Sequence, residues 1–284
     1  MSGAAPPRDG ASTGTARPRP ARRRDLELEA GTAAHYEDPA YYEATYRRRA
    51  EDVAFYVDRA TRAGGVVLEV GCGNGRITLP LARAGREVVG VDLSAAMLGD
   101  LRERLRAEPA EVRDRVKVAR ADMRRMRLGR RFRLVICPFN AFLHLYERQD
   151  VERFLARVHE HLEPRGRFVV DVSIPEPEEL ARDPEKPHRV PPFKYPGVGK
   201  VRYAERFDYD RLRQILFVSM EFEPVAGGEP FATPLAHRQF FPAELEALLH
   251  YNGLTLQKLE GGFRGEPADR HTDSLVYTCT RRRT

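Results

Sequence analysis

The sequence predicts an α/β domain built on a parallel sheet of the nucleotide-binding kind, and three observations predict it. Residues 67–75 read Val-Leu-Glu-Val-Gly-Cys-Gly-Asn-Gly, an apolar strand running into a glycine turn. A second apolar segment, Val-Gly-Val-Asp at 89–92, ends on an acid 21 residues after Gly71, close to the separation at which such units place a ribose-binding carboxylate. Strand-like and helix-like segments then alternate as far as residue 173, so the sheet should be covered on both faces.

Residues 1–30 are rich in Ala, Pro, Gly, Ser, Thr and Arg and nearly devoid of bulky apolar groups, so a disordered Arg/Pro-rich tail is expected. Residues 31–65 form an N-terminal helical segment. Within it Tyr42, Tyr46, Ala50, Val53 and Val57 recur at helical spacing from Tyr41 to about Ala63, and Gly64-Gly65 stops the run. The core at 66–173 is expected to hold strands at 66–70, 87–91, 116–119, 132–137 and 167–172 and helices at about 75–84, 95–107 and 149–162. Ser94 caps the second of these helices. Residues 174–240 break the rhythm and read as a cap insertion. Seven prolines at 174–199 indicate a loop or broken helix, and extended segments at 200–209, 212–224 and 231–240 indicate three antiparallel strands. Residues 241–284 return to the core, with a helix from Pro242 to His250 and strands at 254–259 and 274–280.

Composition narrows the function. At 284 residues and 42% hydrophobic, the chain can bury a substantial core. No apolar run approaches the ~20 residues of a membrane span, and the first residues lack an apolar leader core. Cys72, Cys137 and Cys279 are odd in number and lack ligand spacing, which fits a reducing cytoplasm and argues against a disulfide framework or a bound metal. The net charge of +6 resides in the ends: residues 1–24 carry +5 and Arg281–Arg283 carry +3, which leaves the body near −2. The body therefore offers no overall basic excess for nucleic acid.

The glycine loop selects among nucleotides. Gly71 and Gly73 allow a turn that a Cβ would obstruct, and Gly75 lets the following helix start close to a ligand. A dinucleotide fingerprint requires its third glycine one residue later, where Arg76 stands. Glu69 at the strand tip would repel a pyrophosphate but suits a cationic cofactor.

Residues 67–75 with Asp92 resemble motifs I and II of the class I S-adenosylmethionine (SAM) dependent methyltransferases, whose cofactor carries a sulfonium and an ammonium and no phosphate. The likeness extends over about 40–282. Ala95-Ala-Met97-Leu98 resembles the stretch after motif II, and Ala121-Asp122-Met123 resembles the pair that reads the adenine edge. Cys137-Pro-Phe139-Asn140 resembles motif IV, and His237-Arg238 begins what resembles the return from a cap in small-molecule N-methyltransferases. The resemblance implies a Rossmann-like seven-stranded, mostly parallel sheet whose seventh strand is antiparallel and lies between five and six. It implies SAM as cofactor, contacted by Tyr46, Arg49, Glu69, Gly71, Gly73, Asn74, Gly75, Asp92, Leu93, Met97, Asp122, Met123 and Phe139. Asn140 and Arg238 are candidate acceptor contacts, with His237 beside them. His144 is the candidate base or acceptor ligand, since an imidazole near its ordinary pKa of ~6.5 relays protons at neutral pH.

The expected activity is methyl transfer to N or O of a small molecule by a monomer or homodimer. The Asn/Asp-Pro-Pro-aromatic motif of amino-group nucleic-acid methylases is absent, and no Pro-Cys pair offers a nucleophile for cytosine. The alternatives are an RNA methyltransferase using the basic tail as an arm, a non-catalytic SAM-binding protein, and a nicotinamide-dependent enzyme.

Overall fold

The computed structural model describes residues 25–282. The expected tail lies outside these residues up to position 24, and its last residues are helical. Asp25 caps α1 (Leu26–Ala33) by accepting from the Leu28 N–H at 3.1 Å, and Glu27 and Glu29 sit favourably in the first turn.

Seven strands make the main sheet: β1 (Val67–Val70), β2 (Val88–Asp92), β3 (Val116–Arg120), β4 (Phe132–Cys137), β5 (Leu162–Ser173), β10 (Leu254–Gly261) and β11 (Ser274–Arg281). Their order is β10-β11-β5-β4-β1-β2-β3, and β11 runs antiparallel to both neighbours. The expected seven-stranded, mostly parallel sheet is therefore observed, with its last strand inserted as anticipated. The central strands read as unbroken apolar runs because both faces are covered. On β4, Val135 and Cys137 join one core while Leu134 and Ile136 join the other. Helices α7 (Arg148–His161) and α9 (Pro242–Tyr251) pack on the first face through Phe154, Leu155, Val158, Leu245 and Leu249. Helices α3 (Glu51–Ala63) and α4 (Thr78–Arg83) pack on the second through Phe55, Tyr56, Ala60, Ile77 and Leu81. The chain leaves β1 toward β2 on one side and meets β4 on the other, so the carboxyl ends of these strands open a crevice.

Two expectations are corrected. The single helix expected over 41–63 is two, α2 (Pro39–Tyr46) and α3. The break lies at Arg49, whose carbonyl accepts from the Arg76 guanidinium at 3.2 Å, while the Val53 N–H donates to the neighbouring Asp52 carboxylate at 2.8 Å. A long-range ion pair between Arg76 and Asp52 thus overrides local periodicity. The Pro-rich stretch expected as a loop contains the short α8 (Pro177–Leu180) and a strand, β6 (His188–Tyr195). That strand sits at a sheet edge, and its register slips between Val190 and Phe193 around Pro191 and Pro192, the setting in which a sheet tolerates proline. The cap therefore has four strands, β6, β7 (Gly199–Asp210), β8 (Ile215–Pro224) and β9 (Phe231–Arg238), all antiparallel. Its inner face packs Tyr195, Val201, Met220 and Phe222 on Tyr41 of α2. Among the described residues no helix is long and apolar enough to cross a membrane.

Candidate active site

The carboxyl ends of β1, β2 and β4 open into a cavity of about 1170 Å³, roofed by α1 and the short 3-10 turn Ala34–Tyr36. Its floor is the glycine loop. The N–H groups of Gly71 and Cys72 both donate to the Val91 carbonyl, at 2.8 and 3.1 Å, which turns the chain sharply at the strand end. Gly71 has φ +77°, and a Cβ there would come within 2.7 Å of Ala141. At Gly73, φ +53°, a Cβ would press on Met97 Cε at 3.2 Å. Both line the cavity.

Asp92 stands beside the loop with its carboxylate held by two backbone donors, Gly73 N–H and Ser94 N–H, each at 2.8 Å. Burial raises its pKa, against those hydrogen bonds. Each oxygen keeps a lone pair for a further donor. Ser94 caps α5 (Ala95–Arg106), accepting from Met97 N–H at 3.2 Å, and its hydroxyl donates to the Tyr36 carbonyl at 3.0 Å. This second bond ties the roof to the floor.

Leu93, Met97, Asp122, Met123 and Phe139 also line the cavity. Asp122 is not an unengaged acceptor. Arg124 grips it, with Nε to Oδ1 at 2.9 Å and an Nη to Oδ2 at 2.8 Å, and also reaches Asp150 at 3.2 Å. Phe139 and Asn140 both adopt left-handed backbone conformations, φ +54° and +62°, unusual for non-glycine residues. The Asp171 carboxylate holds that turn by accepting the Phe139 N–H at 2.9 and 3.0 Å, and it also accepts the Tyr56 hydroxyl proton. Burial raises the Asp171 pKa to about 6, against these hydrogen bonds.

Several expected contacts lie elsewhere. Glu69 is buried below the loop, where it accepts from the Thr78 hydroxyl at 2.6 Å, and burial pushes its pKa to about 8. It does not line the cavity, and burial disfavours its ionised form. Gly75 packs against Leu101 and Leu79, so its missing side chain serves loop-to-helix contact. Asn74 is buried and donates to Glu43 of α2 at 3.2 Å. Tyr46 meets Phe139 edge-on at 5.0 Å, and its hydroxyl lies 3.2 Å from His35 Nε2. Arg49 and Arg76 place their guanidinium carbons 4.9 and 4.5 Å from the Phe139 ring centre. Asn140 braces β5 through Ser173, accepting its N–H at 2.7 Å and donating to its hydroxyl at 2.9 Å. Arg238 turns to Glu244 at 2.6 Å. These seven do not line the cavity.

His144 does line it, on the 3-10 turn Ala141–His144. Its Nε2 lies 2.7 Å from the Tyr36 hydroxyl and its Nδ1 lies 3.0 Å from the Tyr146 hydroxyl. Burial, reinforced by His35, lowers its pKa to about 4, so it is neutral at physiological pH. His237 packs 5.0 Å from it, ring centre to ring centre. The sequence reading missed Tyr36, Thr32 and Tyr146, all on the cavity wall. The cap signal at Asp25 ahead of an acid-rich turn was the cue for α1, and it lay inside a stretch of tail-like composition. The wall carries seven acidic side chains (Asp25, Glu29, Glu37, Asp92, Asp122, Glu147, Asp150) against two arginines, Arg120 and Arg124.

Residues 67–166 match a family described as "Methyltransferase domain". Over 126 residues the chain is 36% identical to dTDP-3-amino-3,6-dideoxy-alpha-D-glucopyranose N,N-dimethyltransferase of Streptomyces fradiae, covering 44% of this chain and 46% of that protein, about half its length. It is 29% identical over 220 residues to dTDP-3-amino-3,4,6-trideoxy-alpha-D-glucopyranose N,N-dimethyltransferase of Streptomyces venezuelae, covering 78% and 88%. Among solved structures, the CcbJ methyltransferase from Streptomyces caelestis superposes with a TM-score of 0.73 at 25% identity, over 92% of this chain and all of that one. A SAM-bound amino pentose methyltransferase from Micromonospora echinaspora superposes with a TM-score of 0.63 at 25% identity, over 84% and 96%.

Proposed function

Since the chain is a class I S-adenosylmethionine-dependent methyltransferase, we propose that it methylates the amino group of a small, polar acceptor, of which a nucleotide-linked aminohexose is the best-supported example. The single observation that carries this reading is the shape and charge of one cavity. Its floor suits SAM: Gly71 and Gly73 leave the space a Cβ would fill, and Asp92 turns fixed carboxylate oxygens toward it. Its roof and rim are acidic, and an acidic wall attracts a cationic amine. The two sugar N,N-dimethyltransferases named above act on amino sugars, which supports the same class.

Bound SAM supplies a methyl group already activated by a sulfonium leaving group. The protein's task is to align, exclude water and leave the nucleophile unprotonated. Asp92 would accept from ribose hydroxyls. Met97 and Met123 would flank the adenine. Phe139, fixed by Asp171 and flanked by two guanidinium groups, would wall the methionyl end. His144, expected as base or acceptor ligand, lines the cavity with both ring nitrogens engaged by the Tyr36 and Tyr146 hydroxyls, which favours a positioning role. Cys72, Cys137 and Cys279 are free and buried, which supports a cytoplasmic setting; the protein would act there as a monomer or homodimer.

The test incubates the full chain with labelled SAM and dTDP-3-amino-3,6-dideoxyglucose and analyses the product by mass spectrometry. N-methylated sugar is expected. Label on a hydroxyl, or SAM binding with no transfer to this amine, would reject the acceptor class.

A further inference from the structure

Asp122 and Asp150 are acids on the cavity wall that come from different elements, the turn after β3 and the first turn of α7, and Arg124 ties them together. The backbone fixes the turn first. Ala121 N–H donates to the Asp92 carbonyl at 2.9 Å, and the N–H groups of Arg125 and Met126 both return to the Asp122 carbonyl at 2.9 Å. The Asp122 carboxylate then receives three donors from a single residue. Arg124 N–H reaches Oδ1 at 2.9 Å, Nε is shared between Oδ1 at 2.9 Å and Oδ2 at 3.1 Å, and one Nη reaches Oδ2 at 2.8 Å. A carboxylate has about four lone-pair sites. Oδ1 is filled by two donors, and one site stays open on Oδ2. Among the described residues no other side chain donates to it. Burial would raise the Asp122 pKa, but the Arg124 hydrogen bonds override it and hold the pKa below its ordinary value, so the open site is an acceptor. The other Nη of Arg124 goes to the buried Asp150 at 3.2 Å. The guanidinium is held from both sides, and the Asp122 carboxylate cannot turn without breaking a two-point contact.

We infer that Arg124 is the positioning residue of cofactor-base recognition: it clamps Asp122 so that a single acceptor, Oδ2, faces the 6-position of the base, and Asp150 holds the clamp. The inference concerns the cofactor and is independent of which acceptor is methylated. Two features place the base at this wall. Met97 and Met123 line it, and β3 lies next to β2, so a nucleoside whose ribose rests on Asp92 has the Asp122 turn as its neighbour. A 6-amino group offers an N–H to Oδ2. A 6-oxo base sets a carbonyl oxygen there instead, acceptor against acceptor, and it can offer its ring N1–H only to a carboxylate that shifts to meet it. The clamp forbids that shift, so the 6-oxo base leaves Oδ2 unpaired. An unclamped carboxylate would turn to either base and lose the distinction. Lysine could not replace Arg124, because an ammonium is a point charge without the planar fork that fixes both oxygens. Arg124 and Asp150 act through Asp122 and touch no reacting atom.

Titration calorimetry of the full chain with S-adenosylhomocysteine and with S-inosylhomocysteine, its 6-oxo analogue, tests this without any methyl acceptor. The wild type should bind the adenosyl form at least about 10-fold more tightly. Arg124→Met should weaken the adenosyl form roughly 10-fold and leave the inosyl form within about threefold of wild type, so that the preference nearly vanishes. Arg124→Lys keeps a positive charge between the two acids and removes the fork. It should lose the preference in the same way, and it decides the matter if Arg124→Met does not fold. A role in stability alone would weaken both ligands equally, and that result overturns the inference. So does a wild type that binds the two forms within about threefold of each other, or an Arg124→Lys variant that keeps the wild-type preference.

Discussion

Asp92 and Glu69 are both carboxylates at strand ends beside the same loop, yet they do opposite things. Asp92 keeps two backbone N–H partners and faces the cavity, so it is fit to accept ribose hydroxyls. Asp92→Ala should weaken SAM binding roughly 10–100-fold by titration calorimetry, the magnitude of hydrogen bonds to a charged group. Glu69 has only the Thr78 hydroxyl and a dry environment, which raises its pKa from 4.5 to about 8. A folded value above the unfolded one means the folded chain holds that proton more tightly. The advantage is present below pH 4.5 and is lost as pH rises through about 8. Glu69→Gln keeps the Thr78 contact and removes the titration. It should therefore raise the melting temperature at pH 9 by at least about 2 °C and leave it unchanged at pH 4. His35 and His144 carry the reverse sign, since burial lowers both to about 4. Their contribution is present above ~6.5 and is lost as pH falls through about 4. The acidic limb of kcat/KM should consequently show no inflection near pH 6.5 assignable to His144.

The elements that shape the site meet at close backbone approaches. Gly71 lets β1 turn under the 3-10 segment that carries His144. Gly71→Ala would combine a positive φ with a contact at 2.7 Å from Ala141. It should cost about 1–3 kcal/mol of stability, visible in denaturant melts, and abolish SAM binding. Gly31 does for the roof what Gly71 does for the floor. A Cβ there would lie 2.7 Å from that of Ala236 on β9. Gly31→Val should lift α1 off the cap and lose acceptor turnover, while the midpoint of the main sheet's unfolding changes little. Gly71, Gly73, Asp92 and Met97 were legible in the sequence because motif and cavity wall lie within one βαβ unit and the helix after it. The left-handed conformation of Phe139 was not, because Asp171 holds it from the next strand against phenylalanine's local preference.

Among the described residues two sheets are joined over one crevice, with α1 and α2 between them. Ligand binding at such a joint should stabilise the fold as a unit. Saturating SAM at about 100 times its Kd adds about 2.7 kcal/mol, so a thermal shift of several degrees is expected. NAD should give none, because the loop departs from the dinucleotide spacing and has no third glycine at position 76. The four-stranded cap, counted as three in the sequence, shows why chain-wide patterning is a weaker guide than a motif. Pro191 and Pro192 look like strand breakers until an edge position makes their missing N–H groups harmless.

The sequence alone determined the parallel sheet, its glycine turn and the acid beside it, because each follows from short-range periodicity and the steric freedom of glycine. The tertiary structure alone decided which carboxylates are buried and which residues line the cavity. Thr32, Tyr36, His144, Tyr146 and Ala236 come from α1, two 3-10 turns, the loop that follows and a cap strand, and only packing brings their hydrogen-bonding atoms within 3 Å of one another.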